Sequence, residues 1–165
     1  MSVSYVEGAK CILKHCHDLH KGETKCKRKF VRSTLLSIHT GGVTRVFSQI
    51  NGPIKDFFEC SNKIANCGCI HAEIKLINDV VATLKAEYVM QHILLCSYSP
   101  CTQCANAIIY CGLIDAVIYD RITPHDLRGK ERLWRVLPTF TVRKIEEIAS
   151  GSHREELCFI KRWSS

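Results

Sequence analysis

Between residues 70 and 145, helical and strand-like segments alternate, and this constrains the fold more than any other feature of the chain. Ala72 to Ala86 reads as a helix whose apolar stripe is Ile74, Ile77, Val81 and Leu84. His92 to Ser97 is a short buried strand. Cys101 to Cys111 is a helix opened by Ser99-Pro100, a capping residue followed by proline in the first turn. Leu113 to Tyr119 reads as a strand, His125 to Leu137 as a helix and Phe140 to Ile145 as a last strand. Upstream, the β-rich runs Thr34 to Ile38 and Val43 to Ile50 meet through Thr40-Gly41-Gly42, which predicts a hairpin. A hairpin followed by α-β-α-β-α-β predicts an α/β fold, a mixed sheet with helices on both faces. Ser4 to His20 suits a first helix, and Asn51 to Cys69 is irregular. Leu157, Phe159, Ile160 and Trp163 could close the domain as a final helix.

The chain has 165 residues, 46% of them hydrophobic and 24% charged, which excludes wholesale disorder. It carries no repeat or linker, so residues 1–165 read as a single domain. Eleven cysteines raise the question of a secreted disulfide scaffold, but the chain is large for that class and the count is odd. Glu7, Lys10, Lys14 and Asp18 interrupt the first twenty residues, so no signal-peptide core is expected. No apolar run approaches the roughly 18 residues of a membrane span. The expectation is an intracellular, cytoplasmic-type location, neither secreted nor membrane-bound, where cysteines are thiols or metal ligands. The net charge of +7 hints at a phosphate-bearing partner.

His71-Ala72-Glu73 and, after a gap of 26 residues, Pro100-Cys101-Thr102-Gln103-Cys104 carry the chemistry. Cys101 and Cys104, three apart at the start of a helix, project from one face. His71 stands at the start of the preceding helix. One imidazole and two thiolates make three ligands for Zn2+ and leave the fourth tetrahedral position open for water. Helix amino termini aimed at the metal favour the thiolate forms. Glu73, two positions from His71, points differently from the ligand and suits a general acid/base for the activated water. A closed Cys/His zinc knot would need a fourth ligand at tight spacing and would give Glu73 and Pro100 no role.

H-x-E…P-C-x-x-C is the signature of zinc nucleobase deaminases. From about Thr34 to Ile145 the chain resembles the cytidine deaminase superfamily in motif, strand order and helix order. The resemblance implies a three-layer α/β/α sandwich of about five strands, with a catalytic core of about residues 26–148. It implies zinc ligation by His71, Cys101 and Cys104, and proton transfer by Glu73. It also implies substrate contacts from Asn51, after the second strand, and from the backbone of Ala72 and Ser99. Asn51-Gly52 is equally an ordinary turn dipeptide.

Two branches of that superfamily compete for the substrate. The polynucleotide cytidine deaminases are resembled by His71 through Ile77, by Ser97-Tyr98-Ser99-Pro100-Cys101 and by Ile118-Tyr119-Asp120. In that reading Tyr98 and Tyr119 stack on bases, and Lys25 to Arg32, with five cations in eight positions, passes the phosphates. A solvated cationic loop is the plainer reading of that run. The free-nucleotide deaminases acting on dCMP are resembled by Asn51-Gly52-Pro53 and by Cys104-Ala105 through Gly112. Val31-Arg32-Ser33 departs from them by placing a bulky cation beside the strand. Some of them carry an additional zinc, for which Cys26, Cys60, Cys67 and Cys69 could supply four thiolates, although Cys67-Gly68-Cys69 is tighter than the usual pair spacing. Cytosine in single-stranded nucleic acid is narrowly preferred, with dCMP as the alternative. A tRNA adenosine deaminase and a catalytically silent zinc-binding module rank lower. A homo-oligomer is compatible with the chain.

His15, Cys16, His17 and His20 crowd the first helix, and Cys16 and His20 are spaced to share a metal. Scattered surface side chains explain them as well. Cys11, Cys96, Cys111 and Cys158 sit in apolar surroundings and suit packing. Arg121, Arg128, Lys130, Arg132 and Arg135 make the region after the fourth strand basic, while Trp134 and Trp163 suit core or interface.

Overall fold

The chain segment Gln91–Ser97 is buried without a break, and Ile93, Leu94, Leu95 and Cys96 have no exposed surface at all. A strand that is apolar on both faces has to be central and covered on both sides. In the computed structural model, which describes residues 12–39, 42–53, 59–63, 67–84, 91–123, 128–136 and 141–144, that strand is the middle of a five-stranded sheet.

Helix α1 is described over residues 12–16. It is followed by β1 (Arg32–His39), β2 (Gly42–Ile50), β3 (Gly52–Pro53) and β4 (Cys69–Ile70). Then come α2 (Ala72–Leu84), β5 (Gln91–Tyr98), α3 (Thr102–Cys111), β6 (Ala116–Arg121), α4 (Arg128–Val136) and β7 (Thr141–Lys144). The sheet order is β2-β1-β5-β6-β7. β1 runs antiparallel to both β2 and β5, whereas β5-β6 and β6-β7 are parallel. The register aligns Leu35 with Phe47 on one side and Leu94 on the other, and Leu94 with Val117.

Alternation along the strands splits the core in two. Leu35, Leu94, Cys96, Val117 and Tyr119 face Leu76, Ile77, Val80, Leu84, Ile108 and Leu133 of α2, α3 and α4. Leu36, Ile93, Leu95 and Ile118 face Ile12, Cys16 and Leu19 at the amino-terminal end. Helices therefore cover both faces, and the expected three-layer α/β/α sandwich with a mixed sheet of five strands is what forms. Among the described residues no helix is long and apolar enough to cross a membrane.

Several elements differ from their expected limits. The buried face of α2 is Glu73, Leu76, Ile77, Val80 and Leu84, while Ile74 and Val81 are only half-buried. The stripe is rotated because the helix also turns Glu73 inward, toward the site. The fourth main strand starts at Ala116 instead of Leu113, because Gly112 ends α3 in a left-handed turn (φ 66°) and the chain needs three residues to regain the sheet. The segment expected to be irregular contains the short pair β3-β4, in which Pro53 opposes Cys69. Cys16 is buried under the sheet, whereas the His20 ring bonds Asp120 at 2.5 Å. The expectations for residues 1–11, Cys11, the turn at Thr40-Gly41, the Lys130 and Trp134 side chains, and the tail with Cys158 and Trp163 lie outside the described residues.

Candidate active site

The carbonyl of the residue preceding each of α2 and α3 accepts a helical hydrogen bond. His71 O receives Lys75 N at 3.1 Å, and Cys101 O receives Ala105 N at 2.8 Å. Cys101 is the N-cap of α3, with φ −72° and ψ 172°, and its Sγ lies 3.5 Å from Cys104 N. The expected cap, Ser99, is used elsewhere. Its Oγ accepts Thr123 N at 2.8 Å, its carbonyl accepts Thr123 Oγ1 at 2.6 Å, and its own N–H donates to Arg121 O at 2.7 Å. A thiol therefore caps the helix, and the serine locks the end of β5 to the end of β6.

This arrangement brings three donors together. His71 Nδ1 lies 3.2 Å from Cys104 Sγ and 3.4 Å from Cys101 Sγ, and all three donor atoms fall within 4.8 Å of one another. His71 is exposed, Cys101 half-buried and Cys104 fully buried, so the cluster opens to one side. Contacts from the Cys104 thiol, the His71 imidazole and the Cys104 amide overcome burial and pull Cys101 down to about 4. Its contact with Cys101, reinforced by burial, pushes Cys104 up.

Glu73 lies against this cluster through its contact with Cys104, is 4% exposed, and burial pushes its carboxyl upward. Its Oε2 has no hydrogen-bond partner among the described residues. A buried carboxylate oxygen left unpaired costs on the order of 1–3 kcal/mol unless something from outside the chain meets it. An imidazole and two thiols closing on one point, with one side open, fit the donor set of a catalytic zinc centre. The Glu73 carboxyl beside them, with its orphaned Oε2, fits the same reading.

The sequence profile described as "Cytidine and deoxycytidylate deaminase zinc-binding region" matches residues 12–120, about two thirds of the chain. The chain belongs to this zinc-dependent deaminase family. It is a hydrolytic deaminase that uses zinc. Among solved structures, dCMP deaminase from the cyanophage S-TIM5 in apo form is similar at 21% identity and a TM-score of 0.53, covering 85% of this chain and 95% of that one. The same enzyme in complex with dCMP and dUMP is similar at 19% identity and a TM-score of 0.53, covering 84% and 93%. A diaminohydroxyphosphoribosylaminopyrimidine deaminase/reductase from Thermotoga maritima is 16% identical with a TM-score of 0.50, covering 97% of this chain and 40% of that one. These likenesses establish the fold. No curated protein sequence matches significantly.

Around the deaminase centre, the cationic run reaches the site through one residue. Lys29 Nζ stands 3.2 Å from the centroid of the Tyr98 ring, and its charge is felt by both Glu73 and His71. Arg121 Cζ lies 5.9 Å from the same centroid, and His20 meets the ring edge-on at 6.5 Å. Tyr98 is thus already flanked by cations. Tyr119, expected as a second base-stacking platform, is only 4% exposed and belongs to the core against α2, α3 and α4. It falls there because residues 117 and 119 share one face of β6, so its ring has no open side.

Asn51 is 8% exposed, and its side chain is engaged with the backbone of the cationic loop. Oδ1 accepts Val31 N at 2.9 Å, and Nδ2 donates to Lys29 O at 2.7 Å. Ala72 is fully buried at the start of α2. Beside Asn51 and Gly52 opens a recess of about 380 Å3 whose walls include Lys25, Arg32 and Lys75. Arg32 Nε is buried and has no partner among the described residues. Cys26, Cys60, Cys67 and Cys69 converge in a second cluster. Sequence reasoning missed Thr123, the partner of Ser99, and Gly129, whose only signal was a glycine inside a helix. It also did not single out Lys29 from its charged neighbours.

Proposed function

We propose that this chain, as a single deaminase domain over residues 1–165, converts the cytosine of a phosphorylated nucleotide to uracil, with dCMP as substrate. The observation that carries the reading is the buried Glu73 carboxyl, its Oε2 unpartnered among the described residues, beside the converged His71, Cys101 and Cys104. Zinc held by those three residues supplies Lewis acidity, which brings the pKa of water down toward about 7. Glu73 takes a proton from the water that attacks C4 and delivers it to ring N3. As the C4–N bond breaks, the regenerated carboxylate takes the proton of the new C4 hydroxyl and passes it to the departing amine, so cytosine and water give uracil and ammonia. His71 and Cys101 are set by the first turns of two helices, which fixes the carboxyl relative to the reacting carbon.

Three features support a single nucleotide over a strand. The recess beside Asn51 and Gly52 is lined by Lys25, Arg32 and Lys75 against one carboxylate, Glu23, an excess of positive charge that suits one phosphate. Tyr119 is in the core, and Lys29 covers a face of Tyr98, so neither aromatic offers the free surface that successive bases need. The cyanophage enzyme of similar fold was solved with dCMP and dUMP. Single-stranded nucleic acid remains the second reading, favoured by exposed Lys25, Lys27 and Arg28 next to Lys29.

Ammonia release from dCMP, cytidine and a cytosine-containing single-stranded oligonucleotide, assayed in parallel, tests the substrate. Turnover of dCMP well above the other two is expected, and deamination of the oligonucleotide alone would overturn the reading. Glu73→Ala should keep zinc and fold but lose about 100- to 10,000-fold in turnover. An active Glu73→Ala protein rejects the mechanism. Cys101→Ala should lose the catalytic metal.

A further inference from the structure

Four cysteines distant in sequence meet on the side of the first strand where the cationic loop begins. Cys26 lies in the loop before β1, Cys60 and Cys67 in the segment between β3 and β4, and Cys69 in β4. Their four Sγ atoms lie within 4.8 Å of one another. Cys26 Sγ is 3.9 Å from Cys60 Sγ, and all four are free thiols. A disulfide needs about 2.05 Å between sulfurs. A tetrahedron of sulfurs around zinc, with bonds of about 2.3 Å, has edges of about 3.8 Å. The observed separation matches the tetrahedron.

The surroundings agree. Cys60 Sγ accepts the backbone N–H groups of Lys27 and Asn62 and also contacts the Cys26 and Cys69 sulfurs. Cys69 contacts Cys60, Cys26 and Cys67. Packing alone does not require four thiols to turn toward one point, nor two amides to aim at one sulfur. Asn62 (φ 59°) and Gly68 (φ 75°) are both left-handed, tightening the chain after Cys60 and between Cys67 and Cys69. Ser61 N bonds Cys67 O at 3.0 Å, closing that loop on itself.

We propose that Cys26, Cys60, Cys67 and Cys69 bind a second zinc ion in a closed tetrathiolate centre. With four protein ligands the site has no open position and is structural. It clamps two parts of the active site to each other. Cys26 lies three residues before Lys29, and Cys69 lies two residues before His71 and pairs with Pro53 next to the Asn51 turn. The metal therefore holds the cationic loop against the segment that delivers the catalytic histidine. The proposal is independent of the choice between nucleotide and polynucleotide substrates.

The test is elemental analysis of the full chain purified under reducing conditions, together with zinc-edge X-ray absorption. Two zinc atoms per chain are expected in the unaltered protein. Cys101→Ala should retain one, with four sulfur scatterers at about 2.3 Å. Cys60→Ser combined with Cys67→Ser should also retain one, now with a nitrogen/oxygen contribution, and should unfold at a lower temperature. One zinc in the unaltered protein, lost entirely with Cys101→Ala, would overturn the proposal without touching the catalytic reading. So would a disulfide among the four found by mass spectrometry of the reduced-purified chain. If the double variant does not fold, the stoichiometry and sulfur count of the unaltered protein (two zinc, averaging three sulfurs each) still decide.

Discussion

A methyl group built on Gly129 of α4 would lie 2.5 Å from the carbonyl carbon of Cys101 and 2.1 Å from the carbonyl oxygen of Pro100. The helix thus touches the backbone of the proposed metal-binding turn, and only glycine permits it. In an exposed helix, glycine to alanine would gain up to about 1 kcal/mol. Here Gly129→Ala is expected to cost about 1–3 kcal/mol by overpacking, a fall of several degrees in Tm. Zinc bound at the Cys101 turn should fall with it. Urea unfolding and zinc content check this, and a stabilised variant would show that the contact does not exist in solution.

Asn51 braces the Lys29–Val31 backbone with one acceptor and one donor. Asn51→Ala leaves a half-buried N–H and C=O without their partner and should cost about 1 kcal/mol in chemical denaturation. Asn51→Asp keeps the acceptor for Val31 but sets a carboxylate against the Lys29 carbonyl, so it should not restore stability. An aspartate variant as stable as the unaltered protein would mean the Lys29 side of the brace carries no weight.

Lys29, over Tyr98, is a cation whose charge acts on both Glu73 and His71. Lys29→Met keeps an apolar stem over the ring and removes the charge. KM for dCMP should rise about tenfold at low salt, equivalent to about 1.4 kcal/mol, and kcat should change little. The difference should shrink as salt is raised, because exposed charges are screened. Lys29→Arg should recover most of the loss. A Lys29→Met protein with unchanged KM at low salt removes the residue from substrate attraction.

Cys16 is held under the sheet, and burial, then Asp120, pushes its thiol from 9.0 to about 12. The unfolded chain therefore releases this proton before the folded one does. The associated stability is fully present below pH 9 and declines as pH rises toward 12, with a slope of up to about 1.4 kcal/mol per pH unit. Replacing Cys16 by Ala should flatten the loss between pH 9 and 10.5 relative to the unaltered chain. Parallel slopes in urea titrations of the two proteins would contradict the burial of this thiol.

The sheet was legible because its strands are apolar on the faces that become buried: Ile93 through Cys96, and Val117 with Ile118, can only be interior. The donor set was legible because helix geometry puts Cys101 and Cys104 on one face. What the residues did not disclose were side chains whose role depends on distant partners. Ser99 looked like a cap until Thr123, on the neighbouring strand's exit, engaged both its hydroxyl and its carbonyl. Tyr119 looked like a surface aromatic because strand alternation fixes which residues share a face, not which face is covered. Asn51 sat where a substrate contact was expected, and its brace to Lys29 spans a fold-back that local spacing does not encode. Gly129 revealed its purpose only when a loop from another crossover lay against it.

His71 precedes the central strand β5, and Cys101 and Cys104 follow it. In the folded chain the three donors are held together across β5, which lies between β1 and β6 and pairs segments as distant in sequence as Leu35 and Leu94. An incompletely folded chain presents scattered thiols but no chelate at this centre. A zinc ion held by His71, Cys101 and Cys104 would therefore tie the segments on either side of the central strand to each other and add its binding energy to the assembled sheet.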